Sequence, residues 1–169
     1  MSIDKLVDSW KECRNGLLQE AEQIPADQFS FRATGETRTV AELLRHVVET
    51  QKVLVGEVCR AETNLTRQSF ADHIKEYAPE AASATDKDAL LELLRTSMDH
   101  AEGSLRSNAG KLNESMRRFD GKEMSKLDML NFIVSHEMYH RGQVTVYERL
   151  LNIEPALTQR FKKLFAQAG

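Results

Sequence analysis

Two cysteines, three prolines, eight glycines and one tryptophan in 169 residues leave this chain poor in crosslinks, turns and large aromatics. Cys13 and Cys59 are too few and too far apart for a disulfide framework. Both are expected as free thiols, with the reducing cytoplasm as the compartment. No apolar run approaches the roughly 20 residues that span a bilayer, so no membrane partner is expected. The opening stretch carries Asp4 and Asp8 and lacks the long apolar centre of a secretory signal. Positive charge is not in surplus either: the formal net charge is -3, which argues against nucleic acid as a partner. What is present is an ordinary globular balance, 41% hydrophobic and 29% charged. The length suits one domain over residues 1–169, since two halves would have marginal cores.

The apolar spacing is helical. Ile3, Leu6, Val7, Trp10, Cys13, Leu17, Ala21 and Ile24 predict a first helix that Pro25 ends. Thr39 and Glu42 form a T-x-x-E capping box, with Thr39 as N-cap, ahead of Val40, Leu43, Leu44, Val47, Leu54, Val55 and Val58. This second helix is expected to reach about Glu62. The pattern weakens over 63–85, where one short helix fits around Phe70–Tyr77 before Pro79. Asp86 or Thr85 caps a third long helix carrying Leu90, Leu91, Leu94, Met98, Ala101 and Leu105. After a polar stretch at 111–123, Ser125 and Asp128 open a fourth. It runs through Leu151 until Asn152 takes a left-handed position before Pro155. Residues 156–166 suit a short terminal helix, to which the sequence assigns no role. Four long helices predict an all-α, four-helix bundle with no sheet of consequence. The long links let consecutive helices run parallel, without saying which pair does.

Chemistry concentrates in His136-Glu-Met-Tyr-His140-Arg-Gly-Gln143. At roughly 100° per residue, both histidines share one arc with Met129, Phe132, Ile133, Val144, Tyr147 and Leu150. One histidine in such a stripe is ordinarily a hydrogen-bonded core residue. Two at i and i+4 are costly to bury unless both are paired, and a metal ion pairs both at once. The letters also satisfy H-E-x-x-H, a zinc-peptidase signature. Its third ligand would have to be Glu148 or Glu154, both very close to the second histidine, and the Gly and third His of the longer form are absent. A di-iron carboxylate site needs a second E-x-x-H, but Leu43, Phe70 and Ser97 precede His46, His73 and His100 by three. His46 is the remaining candidate ligand, although it lies at the edge of its stripe, where a boundary histidine would. His73 and His100 are expected in solvent. Glu137 is expected on a solvated face, Tyr139 in core packing, and Arg141 and Gln143 in shaping helix–loop packing.

A histidine shortly after a T-x-x-E-L-L helix start, followed far downstream by H-x-x-x-H-R-G-Q-x-x-x-Y, resembles the DinB/YfiT-like superfamily. The resemblance spans nearly the whole chain: Ile24-Pro-Ala-Asp-Gln-Phe29, Thr39-Val-Ala-Glu-Leu-Leu-Arg-His46, and the stretch from His136 to Pro155. Asn152 stands where such proteins often have Gly, which touches only the helix end. The resemblance implies an up-down-down-up bundle and one divalent metal ion held by His46, His136 and His140. Zinc or nickel is expected before iron or manganese. It also implies a helix-based homodimer and a small-molecule substrate, in some members a low-molecular-weight thiol. Three imidazoles leave a coordination position open, as in catalytic sites. The function implied is a metal-dependent enzyme, either a hydrolase using water or a thiol-dependent transferase or isomerase. The alternative is a non-catalytic metal- or ligand-binding stress protein with a vestigial site. The enzyme needs an open polar pocket; the vestigial site would be plugged or dry.

Overall fold

The computed structural model describes residues 2–167. Among them are α1 (Ile3–Gln23), α2 (Val40–Cys59), the short α3 (Phe70–Tyr77), α4 (Lys87–Ser107), α5 (Lys126–Leu150) and α6 (Ala156–Gln167). Ser2, Thr39, Ser69, Asp86 and Ser125 cap five of these starts, each accepting from a backbone N–H three residues on. At Thr39 the box is reciprocal: Thr39 Oγ1 accepts from Glu42 N (3.1 Å) and Glu42 Oε2 from Thr39 N (2.7 Å). α2 stops at Cys59, short of the expected Glu62. Side chains take over its last carbonyls there: Thr63 Oγ1 donates to Glu57 O and Lys126 Nζ to Arg60 O. Asn152 adopts the expected left-handed conformation, φ 60°.

The polar stretch before α5 folds as a small antiparallel hairpin, β1 (Ser115–Arg117) and β2 (Glu123–Ser125), pairing Ser115 with Ser125. Its turn uses Gly121 at φ 78°, a conformation that needs no Cβ. Met116 is buried and closes that end of the core.

Cross-helix bonds fix the direction of each helix. Arg14 meets Glu137 and Gln23 meets Glu148, so α1 and α5 run parallel. Lys126 reaches Arg60 O while Tyr147 Oη reaches Arg38 O, so α2 runs against α5. Gln51 donates to Ser97 O and Cys59 Sγ to Ser104 O, placing α4 parallel to α2. Arg106 pairs with Asp4, and Lys87 donates to Ile24 O, so α1 opposes α4. The order is up-down-down-up. The parallel consecutive pair is α2 and α4, joined by the link that carries α3.

The core is two apolar layers with a polar layer between them. One contains Leu6, Trp10, Leu54, Met98, Leu130 and Ile133; the other Leu17, Leu44, Val48, Leu94, Val144 and Tyr147. Arg14, 1% exposed, sits between. Its Nε donates to Glu137 Oε1 (2.5 Å), Nη1 to Leu94 O and Ser97 Oγ, and Nη2 to Gln51 Oε1 (2.6 Å) and Glu137 Oε2 (2.8 Å). Trp10 Nε1 gives Glu137 Oε2 another donor at 2.7 Å. Four helices therefore meet at one guanidinium.

This layer corrects the expected face of α5. Lys126, Leu130, Ile133, Glu137, His140, Val144 and Tyr147, at alternating four- and three-residue steps, are the buried stripe. Glu137 is not solvated but 1% exposed, because Arg14 and Trp10 satisfy its carboxylate. Phe132 (51%), Tyr139 (65%) and Leu150 (54%), expected in the core, lie outside that stripe and are exposed. His73, expected in solvent, is fully buried beside α2. Its ring nitrogens contact Leu65 O (3.2 Å) and Gln68 Nε2 (3.3 Å), so it anchors the link between α2 and α3. His100 is exposed, as expected.

α6 docks through another buried carboxylate. Glu20 Oε2 accepts from Ala156 N (2.6 Å), Oε1 from Leu157 N (3.3 Å) and from Arg141 Nη2 (3.3 Å). A Cβ on Gly16 would overlap that Arg141 guanidinium, which lies directly against the Gly16 backbone. Glu148, fully buried, lies against Glu20. Its Oε1 accepts from Gln23 Nε2, and Oε2 receives no donor. Burial first, then the Glu20 charge and hydrogen bond, push the Glu148 carboxyl up to about 8.

Two outcomes follow. Glu137→Ala leaves Arg14 buried without its counter-charge and is expected to cost about 3–5 kcal/mol by denaturant unfolding. The double variant Arg14→Met, Glu137→Leu should recover most of that loss; a single-variant cost below about 1 kcal/mol would contradict the layer's role. Glu148 is protonated in the fold below about 8 but only below about 4.5 when unfolded, so stability falls as pH rises through that window. Glu148→Gln, which keeps a donor toward Glu20, should show a smaller fall in Tm across the same window. An unchanged pH dependence would be the contrary result.

Candidate metal centre

His136 and His140 stack one turn apart on α5, and the Arg14–Glu137 pair turns their side of the helix toward α2. The capping box at Thr39 and the Tyr147 Oη–Arg38 O bond (2.8 Å) set the start of α2 against α5. His46 thereby comes from the edge of its stripe to face the pair. His46 Nε2 lies 3.2 Å from His136 Nε2, which lies 3.0 Å from His140 Nε2. Three candidate ligand atoms fall within 4.8 Å of one another. Edge-on ring contacts surround them, with His46 and His140 centroids 4.9 Å apart at 87°.

The tautomers do not close this cluster with protons alone. Gln143 Oε1 accepts from His140 Nδ1 at 2.7 Å, leaving His140 Nε2 as a lone pair. A proton on His136 Nε2 can serve either His140 or His46, but not both. One nitrogen in the group stays unpaired, whereas a cation takes all three lone pairs. Ligands about 2.0–2.1 Å from a tetrahedral ion stand about 3.3 Å apart, close to the observed separations.

All three rings are neutral near pH 7. Burial, then Arg38 and His140, push His46 down to about 4. Burial and the two neighbouring rings, with Arg38, push His136 down to about 3. His140 is lowered by burial and Arg38, against the opposing influence of Gln143 and Glu137. Neutral imidazole is the form that binds a metal ion, so no proton need leave first.

His46 lies on the wall of an open cleft of about 700 Å³ between the 32–38 loop, α2 and α3. Arg32, Arg38, Arg45, Glu42 and Glu49 line it, with Phe70 and Ile74. On α5, Phe132 and Tyr139 flank the rings: Tyr139 stands edge-on to His140 at 5.1 Å. Glu148 and Glu154 play no part in the cluster, for Glu148 joins Glu20 and Gln23 while Glu154 pairs with Lys162. Cys13 and Cys59 are free, and burial raises both thiols, Cys13 to about 12. Neither lines the cleft. Gln143 is the residue whose part the sequence reading missed; its i+3 spacing from His140 was the available signal.

The comparisons agree with this architecture. A DinB-like protein (YjoA) of Bacillus subtilis superposes with a TM-score of 0.67 at 19% identity, over 88% of this chain and 92% of its own. YfiT from Bacillus subtilis, described as a probable metal-dependent hydrolase with an unusual four-helix bundle topology, gives 0.69 at 17%, over 89% and 88%. A mycothiol-dependent maleylpyruvate isomerase gives 0.68 at 12%, over 85% of this chain but 61% of its own. No curated protein sequence matches. The model of the DinB family matches residues 1–167, and the chain belongs to that family.

Proposed function

We propose that this chain is a divalent-metal-dependent enzyme acting on a small molecule, with His46, His136 and His140 as the metal ligands. The convergence of three neutral imidazole nitrogens, which protons alone cannot pair, carries the reading. An all-nitrogen set suits zinc or nickel, with iron or manganese as weaker candidates. A bound dication supplies Lewis acidity, which favours deprotonation of a water or thiol presented to it. Gln143 fixes the His140 ring and tautomer, as an outer partner of a ligating histidine does. The cleft beside His46 gives access, and its polar walls favour an enzyme over a plugged, vestigial site.

Both modes of attack fit these residues: water, making the chain a hydrolase, or a low-molecular-weight thiol, making it a transferase or isomerase. The relatives described as a metal-dependent hydrolase and a mycothiol-dependent isomerase support the two modes. In the second, the thiol comes from outside, since Cys13 and Cys59 lie elsewhere with raised pKa values. The site we infer acts as a cytoplasmic catalyst. No helix among the described residues is long and apolar enough to cross a membrane.

Calorimetric titration of chelator-treated protein with zinc or nickel should show one site per chain. His140→Ala should abolish it without unfolding the bundle, and Gln143→Ala should weaken it by about 10–100-fold. Unchanged binding in His140→Ala would place the metal elsewhere. The homodimer belongs to the same proposal: exposed Phe132, Tyr139, Val146 and Leu150 on α5, with Phe161 and Phe165 on α6, support an apolar contact between copies. Light scattering should report twice the chain mass at micromolar concentration; a monomer there contradicts the dimer.

A further inference from the structure

The cleft beside His46 carries three guanidinium groups, and their partners differ. Arg32 pairs with Glu42 at 3.5 Å, and Glu42 also takes the Thr39 backbone N–H. Arg45 Nη2 donates to the carbonyl of Ala84 (2.9 Å), which fixes the side chain, while its charge acts on Glu49 and Glu42 without an ion pair. The Arg38 guanidinium is exposed and, among the described residues, makes no ion pair and no hydrogen bond. Its backbone is nevertheless held firmly. The Arg38 carbonyl accepts from Tyr147 Oη on α5, and the next residue is the N-cap of α2. The side chain therefore starts from a fixed point where α2 and α5 meet, and its charge reaches all three imidazoles.

The acidic side of the cleft matches the basic side in number, with Glu42 paired to Arg32 and neither Glu36 nor Glu49 in an ion pair among the described residues. Glu36 is exposed, and Glu49 is half-buried, one turn beyond Arg45, with no hydrogen-bond partner. Arg38 and Arg45 both act on the Glu49 carboxyl, opposing the effect of its burial. The forks of Arg38 and Arg45 thus bond neither Glu36 nor Glu49, and among the described residues the Arg38 fork bonds nothing. A carboxylate brought in from solvent fits this vacancy of partners: it is planar, singly charged, and matches the bidentate fork of Arg38. A phosphate dianion fits less well, because it would meet Glu49 with more charge and find one free fork.

We propose that Arg38 selects carboxylate-bearing small molecules, holding the carboxylate while another part of the molecule faces His46, His136 and His140. The proposal rests on the metal reading of the triad. It deepens that reading by naming a substrate class and a specificity residue. Glu49 is the built-in competitor for the guanidinium.

Cobalt(II)-loaded protein tests it, because the visible spectrum of the ion reports binding without any assay of activity. Succinate, succinamate (its monoamide) and acetate are titrated into wild type, Arg38→Ala and Glu49→Gln. Succinate should bind wild type about tenfold more tightly than succinamate, and Arg38→Ala should abolish that preference while leaving acetate unchanged. Glu49→Gln should strengthen succinate binding by removing the competing charge. A further arm with 3-mercaptopropionate separates the sources. Arg38-dependent binding with a sulfur-to-cobalt band assigns the carboxylate to the thiol reactant, and Arg38 dependence for succinate alone assigns it to the other substrate. Equal affinities for succinate and succinamate in wild type, or a preference that survives Arg38→Ala, overturn the proposal while the metal reading stands. Absence of a cobalt spectrum overturns both.

Discussion

A guanidinium buried in a helical bundle must find a partner for every N–H, and this requirement at Arg14 organises the rest of the molecule. Its donors reach Glu137 on α5, Gln51 on α2, and Ser97 and the Leu94 carbonyl on α4. Apolar layers can slide or rotate with modest loss, since one methyl group replaces another. A charged fork on one helix, bonded to three others, cannot. Rotating α5 by one residue would leave Glu137 buried without its donors and Arg14 buried without its counter-charge, a cost of several kcal/mol. The pair acts less as a source of stability than as a device that fixes which side of α5 faces which neighbour.

That orientation places the histidines. Glu137 is turned toward α1 and Arg14, so His136 beside it and His140 one turn on look toward α2. The Thr39 capping box and the Tyr147 contact then set the height of α2, bringing His46 opposite them. Gln143 holds the last ring in one tautomer. The proposed metal site is therefore assembled from local helix geometry on one element and long-range polar constraints on three others.

Much of the bundle was legible in the sequence because capping and apolar spacing are local. Thr39, Ser125 and Asn152 did what their chemistry requires, and the four long helices appeared near their expected limits. The errors share one cause. On α5 an apolar arc centred on the two histidines takes in Phe132 and Leu150 and leaves Glu137 outside it, on a solvated face. Arg14, Glu20, Lys126 and Glu148 are further charged residues in the core, each paired or hydrogen-bonded to a residue distant in sequence. Wheel geometry within one helix contains no information about such partners. The same holds for His73, whose burial depends on the Leu65 carbonyl and Gln68 in a link without periodicity. The histidine pair survived the misplaced arc because i and i+4 remain neighbours wherever the helix faces. His46 came from the family resemblance more than from its own stripe, and the fold explains why an edge position can reach the centre.

The central claim is that three neutral imidazoles, positioned by the Arg14 layer, hold one divalent ion. X-ray absorption on zinc-loaded protein tests it at the atoms concerned. Three imidazole nitrogens are expected at about 2.0–2.1 Å, with the outer-shell scattering of the rings, and a lighter atom completing the shell. A shell of oxygens without imidazole scattering, or one containing sulfur from Cys13 or Cys59 in the absence of added thiol, would contradict it.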